Sequence, residues 1–430
     1  MNIKPTDYKI GDLSISRLGE ASIVSNYKIE KSLFVDEEAK VLFHTNTKDI
    51  SSFPDEPKFE LAGPREKLFF KPKEIVAGIV TCGGLCPGLN DVIRTITLTL
   101  QWQYGVKKVL GFRYGYDGLS SNAKEAPIEL MADHVDNIHH LGGTILGSSR
   151  GAQEPIDMVE ILVKHNVSMI FTIGGDGTFT GAHALAEEIT KQKLGISVIG
   201  IPKTIDNDIC CSEMTFGFNT AFEEARRSIQ SAHVEARAAF RGIGLVKLMG
   251  RDSGFITAAA TLANSDVNFC LIPEEEISLE GEEGLLRRLE KRFERKDHAV
   301  IVIAEGAGQN LMQSETSKTD MSGNAVYGDI GLFLKDKIKE RFKSFDKPVS
   351  IKYIDPSYNI RSCQANARDS ILCLMLGENA VHAAMAGKTD MFIGFWNQSF
   401  THVPFSAAIG RRKKVDLSSQ FWQTVKAMTE

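Results

Sequence analysis

Cysteine is sparse: seven residues, at 82, 86, 210, 211, 270, 363 and 373, in a chain of 430. An odd count spread over that length reads as reduced thiols and excludes a disulfide framework. Cys82 and Cys86 enclose Gly83, Gly84 and Leu85, Pro87 follows, and no second pair has ligand spacing, so a zinc site is not expected. No uninterrupted apolar run approaches the ~18 residues of a membrane span, and the opening MNIKPTDYKIGDLS lacks the apolar core of a secretory signal. The expected location is therefore the cytosol. Neither sign of charge dominates: 50 Lys and Arg stand against 55 Asp and Glu, a formal net charge of −5. Without a broad basic field, nucleic-acid and anionic-membrane partners are not expected. Short repeats and low-complexity tracts are also missing.

What is present is alternation. From residue 74 onward, EIVAGIV, VLGFR, SMIFTIG, SVIGIP, GIGLVKLM, NFCLIP, HAVIVIAEG, VSIKYID and MFIGFW are short apolar or β-branched runs. Helix-like stretches such as FTGAHALAEEITKQK and TAFEEARRSIQSAHVEARAAF separate most of them. Strands buried on both faces and divided by helices predict an α/β fold with mostly parallel, doubly wound sheets. Nine runs exceed one comfortable sheet and favour two lobes with a cleft between them. Residues 1–72 read as an N-terminal extension that wraps or caps the core. Residues 73–215, completed by about 362–400, read as one lobe, 216–361 as the other, and 401–430 as a C-terminal segment. The polar stretch 309–325 reads as a mobile surface loop.

Two glycine clusters follow strands and precede helices. In GIVTCGGLCPGLNDVIR, Gly83, Gly84 and Gly88 either bare the backbone to an anion or only serve a tight turn. MIFTIGGDGTFTGAHALAEE sets Gly174, Gly175, Asp176, Gly177 and Thr178 at the same kind of corner. A carboxylate beside a phosphate suits a bridging divalent cation, so Asp176 is a natural magnesium position; a helix cap next to Thr178 is the plainer alternative, though it leaves three glycines unexplained. Gly177 leaves room for a bulky ligand. A decoy, HAAMAGKT at 382–389, imitates the end of a P-loop, but Gly387 there reads as a helix C-cap.

In IGIPKTIDND, Lys203 and Thr204 offer an ammonium and a hydroxyl to phosphate oxygens. Asp206 and Asp208 follow as separate carboxylates; one can take a proton from an attacking hydroxyl while the other holds position or a metal-bound water. An Asx turn leading into the following helix is the plainer alternative.

Taken together, CGGLCPGLN, GGTILGSSRG, IGGDGT, PKTIDND, KLMGRDSGF, VIAEGAGQ and YIDPSYNIR resemble the phosphofructokinase family in order and spacing over roughly 74–410, most closely its plant and spirochaete branch. The resemblance implies phosphoryl transfer from ATP with Mg2+ to the 1-hydroxyl of fructose 6-phosphate. It implies Asp206 as catalytic base, with Thr204, Asp208, Lys203 and Arg251 beside it. It assigns Gly83, Gly84, Arg150, Gly175, Asp176, Gly177 and Thr178 to the nucleotide, with the Gly83 N–H given to the transferred phosphate. Met249, Gly250, Arg251 and Glu305 would hold the sugar, and Lys352, Tyr358 and Arg361 its 6-phosphate. A homotetramer is implied, with a homodimer as the alternative. The chain departs from the classical bacterial pattern at Gly242, where an arginine is usual, and at Lys352 and Tyr358, where arginine and histidine are usual. Pyrophosphate-using relatives tend to carry a second aspartate at the position of Gly177, which argues for ATP, whereas Lys203 is shared with them. Pyrophosphate dependence and a non-catalytic nucleotide sensor are the alternatives.

Overall fold

The computed structural model describes residues 12–45, 56–312, 327–343 and 348–429. In chain order its principal strands are β1 (Lys40–Leu42), β2 (Lys58–Leu61), β3 (Val76–Thr81), β4 (Lys108–Gly111), β5 (Ile128–Glu129), β6 (Val167–Gly174), β7 (Ser197–Pro202), β8 (Gly242–Leu248), β9 (Phe269–Leu271), β10 (His298–Ala304), β11 (Ser350–Ile354), β12 (Met391–Trp396) and β13 (Ser399–Pro404). The principal helices are α1 (Leu89–Leu98), α2 (Asp176–Lys191), α3 (Phe218–Arg237), α4 (Phe255–Ala263), α5 (Leu285–Phe293), α6 (Ile330–Phe342), α7 (Ala367–Met385) and α8 (Gln420–Met428).

All nine apolar runs form strands, divided between two sheets. Among the described residues the larger has nine strands in the order β1-β2-β13-β12-β7-β6-β3-β4-β5, and its centre, β12-β7-β6-β3-β4, is parallel. The smaller, β9-β10-β8-β11, is parallel throughout. The parallel strands are almost continuously buried, as β6 and β10 illustrate, because helices cover both faces. In such sheets ligands bind at the carboxyl ends of the strands, and the corners after β3, β6, β7, β8 and β10 fall there. Among the described residues no helix is long and apolar enough to cross a membrane.

Three features bear on the sequence-based expectation. The extension contributes strands: β1 pairs with β2, and β2 pairs with β13. The expected limit at 400/401 falls inside β13, so the C-terminal segment begins within the large sheet. The stretch expected to be a mobile loop lies mostly outside the described residues; its start, Gln309–Leu311, is a short helical turn. Gly387 has φ +77°, and its N–H donates to Ala384 O just past α7, which is the cap geometry expected there.

Candidate active site

Three βα corners of the large sheet meet. After β3, Gly83 adopts φ +83°, and its carbonyl accepts the Ser148 hydroxyl at 2.6 Å. Its N–H already donates to Ser149 O at 2.9 Å, so that donor is engaged and not free to receive a phosphate as the resemblance implied. Gly84 is the barer neighbour. A Cβ there would lie 3.6 Å from the Arg150 guanidinium and 3.7 Å from that of Arg361. The Lys203 ammonium donates to Gly84 O at 3.0 Å. Three cationic side chains thus surround one glycine, with Lys203 buried and its pKa lowered by that burial. Gly88 serves packing instead: a Cβ there would meet Cys373 Sγ at 2.5 Å.

At the second corner, Gly175 caps α2 and its carbonyl accepts the Thr178 N–H at 2.9 Å. Thr178 itself is buried; a Cβ on Gly174 would fall 2.1 Å from its hydroxyl. Gly177 is the opposite case, for a Cβ there meets nothing within 4 Å. Asp176 opens α2 with its pKa raised, first by burial and also by Asp208, against the pull of Arg412 and the Gly410 N–H. Among the described residues no three His, Cys, Asp or Glu side chains gather into a metal cage. The single Asp176 carboxylate at the start of α2 fits magnesium, which is commonly held by one or two carboxylates together with substrate phosphates.

At the third corner, Pro202 ends β7 and Lys203 N donates to Gly174 O at 2.9 Å, binding the second and third corners together. The Thr204 hydroxyl donates to Asp208 Oδ1 at 3.0 Å and accepts the Asp206 N–H at 3.1 Å. Asn207, at φ +52°, holds the turn by donating to Glu213 O and accepting the Thr215 N–H. Asp206 Oδ1 is buried and has no hydrogen-bond partner among the described residues. Its pKa is raised by burial, by Asp208 and by Glu305, while Lys203 and Arg412 oppose the rise.

Glu305 belongs to the facing lobe, where β8 and β10 end side by side. Its N–H donates to Leu248 O at 2.9 Å, and Gly306 N donates to Gly250 O at 3.1 Å. Gly250, at φ +127°, turns the chain between Met249 and Arg251. Met249 packs partly into the core, and the Arg251 guanidinium lies 4.5 Å over the Tyr327 ring. Burial raises the Glu305 pKa, countered by Lys247 and Arg251. The Ser253 hydroxyl donates to Asp206 O at 3.2 Å, so the two lobes touch at this turn.

The expected 6-phosphate trio separates. Arg361 joins the Gly84 cradle, and Tyr358 is exposed with the Arg361 guanidinium 4.9 Å over its ring. Lys352 does not join. It pairs in register with Gly244, four residues short of the end of β8, and its ammonium faces Glu235 of α3 at 3.7 Å. Being mid-strand places it well below the strand ends. Gly242 explains its own departure from the bacterial pattern, because a Cβ there would collide with Ala236 O at 2.0 Å.

Sequence reasoning missed the tail. Arg412 pairs with Asp252 and forms a bridge with Ile209, Lys413 N donates to Asp208 O at 2.8 Å, and Lys413 Nζ donates to Ser212 O and Glu213 O. The run RRKK at 411–414 was the available signal.

Two lobes with mostly parallel sheets meet here at their strand ends, one bearing bare glycine corners and a cationic cradle, the other a carboxylate and an arginine. That defines a class of α/β proteins that handle phosphorylated ligands in an interlobe cleft. Residues 76–384 match the family described as Phosphofructokinase, and the chain belongs to that family. It is 49% identical over 430 residues to the ATP-dependent 6-phosphofructokinase of Borreliella burgdorferi, covering 97% of this chain and 96% of the relative. It is 48% identical to ATP-dependent 6-phosphofructokinase 5, chloroplastic, of Arabidopsis thaliana, covering 84% and 67%. Among solved structures, the pyrophosphate-dependent phosphofructokinase of Marinobacter aquaeolei shares the fold with TM-score 0.67 and 21% identity, covering 83% and 92%. Pichia pastoris phosphofructokinase in the T-state aligns with TM-score 0.64 and 23% identity over 83% of this chain, which spans 39% of that one.

Proposed function

We propose that the chain transfers the terminal phosphoryl group of ATP to the 1-hydroxyl of fructose 6-phosphate, giving fructose 1,6-bisphosphate and ADP. The observation that carries this reading is Asp206 Oδ1, a buried acceptor with no partner among the described residues, at the meeting of the two lobes. An unsatisfied buried oxygen is costly and calls for an occupant; a substrate hydroxyl supplies the missing donor.

In the proposed reaction the sugar oxygen attacks the terminal phosphorus, the bond to the ADP oxygen breaks, and Asp206 takes the hydroxyl proton. Lys203 and Arg150 offset phosphate charge at Gly84, and Asp208 and Thr204 hold the turn. Gly175, Asp176, Gly177 and Thr178 form the nucleotide corner, with Gly83 shaping its neighbour through backbone geometry. Magnesium, held through Asp176, would neutralise phosphate oxygens. Met249, Gly250, Arg251 and Glu305 receive the sugar, and Arg361, beside Gly84, receives its 6-phosphate. The nucleotide lobe is proposed as 73–215 completed by about 362–400, the sugar lobe as 216–361, the assembly as a homotetramer and the location as cytoplasmic.

The open space at Gly177 and the naming of both curated relatives as ATP-dependent support ATP as donor. Pyrophosphate is the second reading, favoured by the buried Lys203 cation beside Gly84. Initial rates with fructose 6-phosphate, magnesium and either donor decide between them. Turnover with ATP well above that with pyrophosphate is expected. Faster turnover with pyrophosphate overturns the donor assignment, and none with either leaves a nucleotide sensor.

A further inference from the structure

Lys247, next to last in β8, has no role in the reaction proposed above. Its side chain is 12% exposed, and its ammonium lies 2.9 Å from Asp329 Oδ2 and 2.9 Å from Asp355 Oδ2. The two carboxylates belong to different segments. Asp329 caps α6 by accepting the Leu332 N–H at 3.0 Å, and it also accepts the Tyr353 hydroxyl at 3.0 Å. Two residues before it, Tyr327 supports the Arg251 guanidinium. Asp355 leaves β11, accepts the Ser357 N–H at 3.1 Å and begins the turn that leads to Tyr358 and Arg361. One ammonium therefore joins the segment behind one substrate-facing arginine to the turn that presents the other.

We propose that Lys247 is a positioning residue for the sugar phosphate: by pinning Asp329 and Asp355 to one point it sets Arg251 and Arg361 where the acceptor binds. The inference rests on the reaction proposed above. Without the ammonium, two carboxylates within reach of one point repel each other, and the segments part. Lys247 is also the first of the charges opposing the raised pKa of Glu305, ahead of Arg251 and Arg361, while Asp355 adds to the rise. The same cation thereby helps keep a proposed sugar-hydroxyl acceptor ionised.

The test is initial-rate kinetics with ATP, magnesium and fructose 6-phosphate on the full chain and on Lys247→Met, Lys247→Arg and Asp355→Asn. Lys247→Met is expected to raise KM for fructose 6-phosphate about tenfold or more while KM for ATP stays within about twofold; Lys247→Arg should recover most of the loss. Asp355→Asn keeps the Lys247–Asp329 pair, covers the case of a Lys247→Met protein that does not fold, and is expected to raise the same KM. An unchanged sugar KM in Asp355→Asn, or parallel loss against both substrates, overturns the inference. An inactive unsubstituted chain overturns the proposed reaction instead.

Discussion

Asp206 has one carboxylate oxygen in a place where no described group donates to it, and a neighbourhood that disfavours its charge. Burial, Asp208 and Glu305 together hold its pKa above the ordinary aspartate range, with Lys203 and Arg412 limiting the rise. A base must be ionised to act, so kcat/KM for the sugar should increase with pH across an acid limb lying above that range. Asp206→Ala should cut kcat by about a hundredfold or more with nucleotide affinity nearly intact, and Asp206→Asn should abolish the limb. Rate measurements across pH, with ATP binding by titration calorimetry, check both; a mild drop in turnover removes Asp206 as base. The charged turn at Asp206 was legible because it follows an apolar strand directly. The engagement of the Gly83 N–H was not, because the Ser149 carbonyl that takes it lies 66 residues away in sequence.

At the scale of elements, β6 and α2 meet at a corner that cannot accept a side chain at Gly174 but has open space at Gly177. Gly177→Asp therefore adds a carboxylate without a clash, and an acid in the first turn of a helix is mildly stabilising. The variant should keep its melting temperature and its KM for fructose 6-phosphate while KM for ATP rises about tenfold or more. An unchanged KM for ATP would show that the nucleotide does not pass over this corner. Strand identity was written plainly in the nine apolar runs, since burial on both faces leaves a continuous hydrophobic signature. Position along a strand was less plain. Lys352 sits in a matching block, yet parallel register with Gly244 sends it to Glu235 and not to the strand ends.

Across the whole molecule, the extension and the C-terminal segment close on a buried charge cluster. Lys388 pairs with Glu60 and lies 3.2 Å from Glu37, Arg65 reaches Glu60 at 3.2 Å, and His402 Nδ1 lies 2.9 Å from Glu60 Oε1. The pairing lowers the Glu60 pKa, but burial lowers that of His402 to about 4 despite the carboxylate. The imidazole is therefore neutral at pH 7 and donates from Nδ1, while Lys388 and Arg65 carry the positive charge. The unfolded chain binds a proton at His402 near pH ~6.5, so stability falls as pH drops from there toward 4. Glu60, depressed in the fold, adds its own loss below about pH 4.3. Thermal melts between pH 7 and 4 should fall by several degrees, and His402→Gln should flatten the upper part of that fall; an equal slope in the variant would clear His402. None of this was readable from sequence, because β1 and β2 are three and four residues long, and β2 finds its partner, β13, more than 330 positions away while β1 pairs only with β2.

Residues 76–384 carry the family match, yet β2 continues the sheet beyond β13, and the Trp396 indole donates to Phe43 O at 2.8 Å. The two flanks outside the matched region are thus each other's partners. A fragment trimmed to 76–384 would lose β12 and β13 at one end and their covering strands at the other, exposing the edge of β7 as an unpaired template for neighbouring chains.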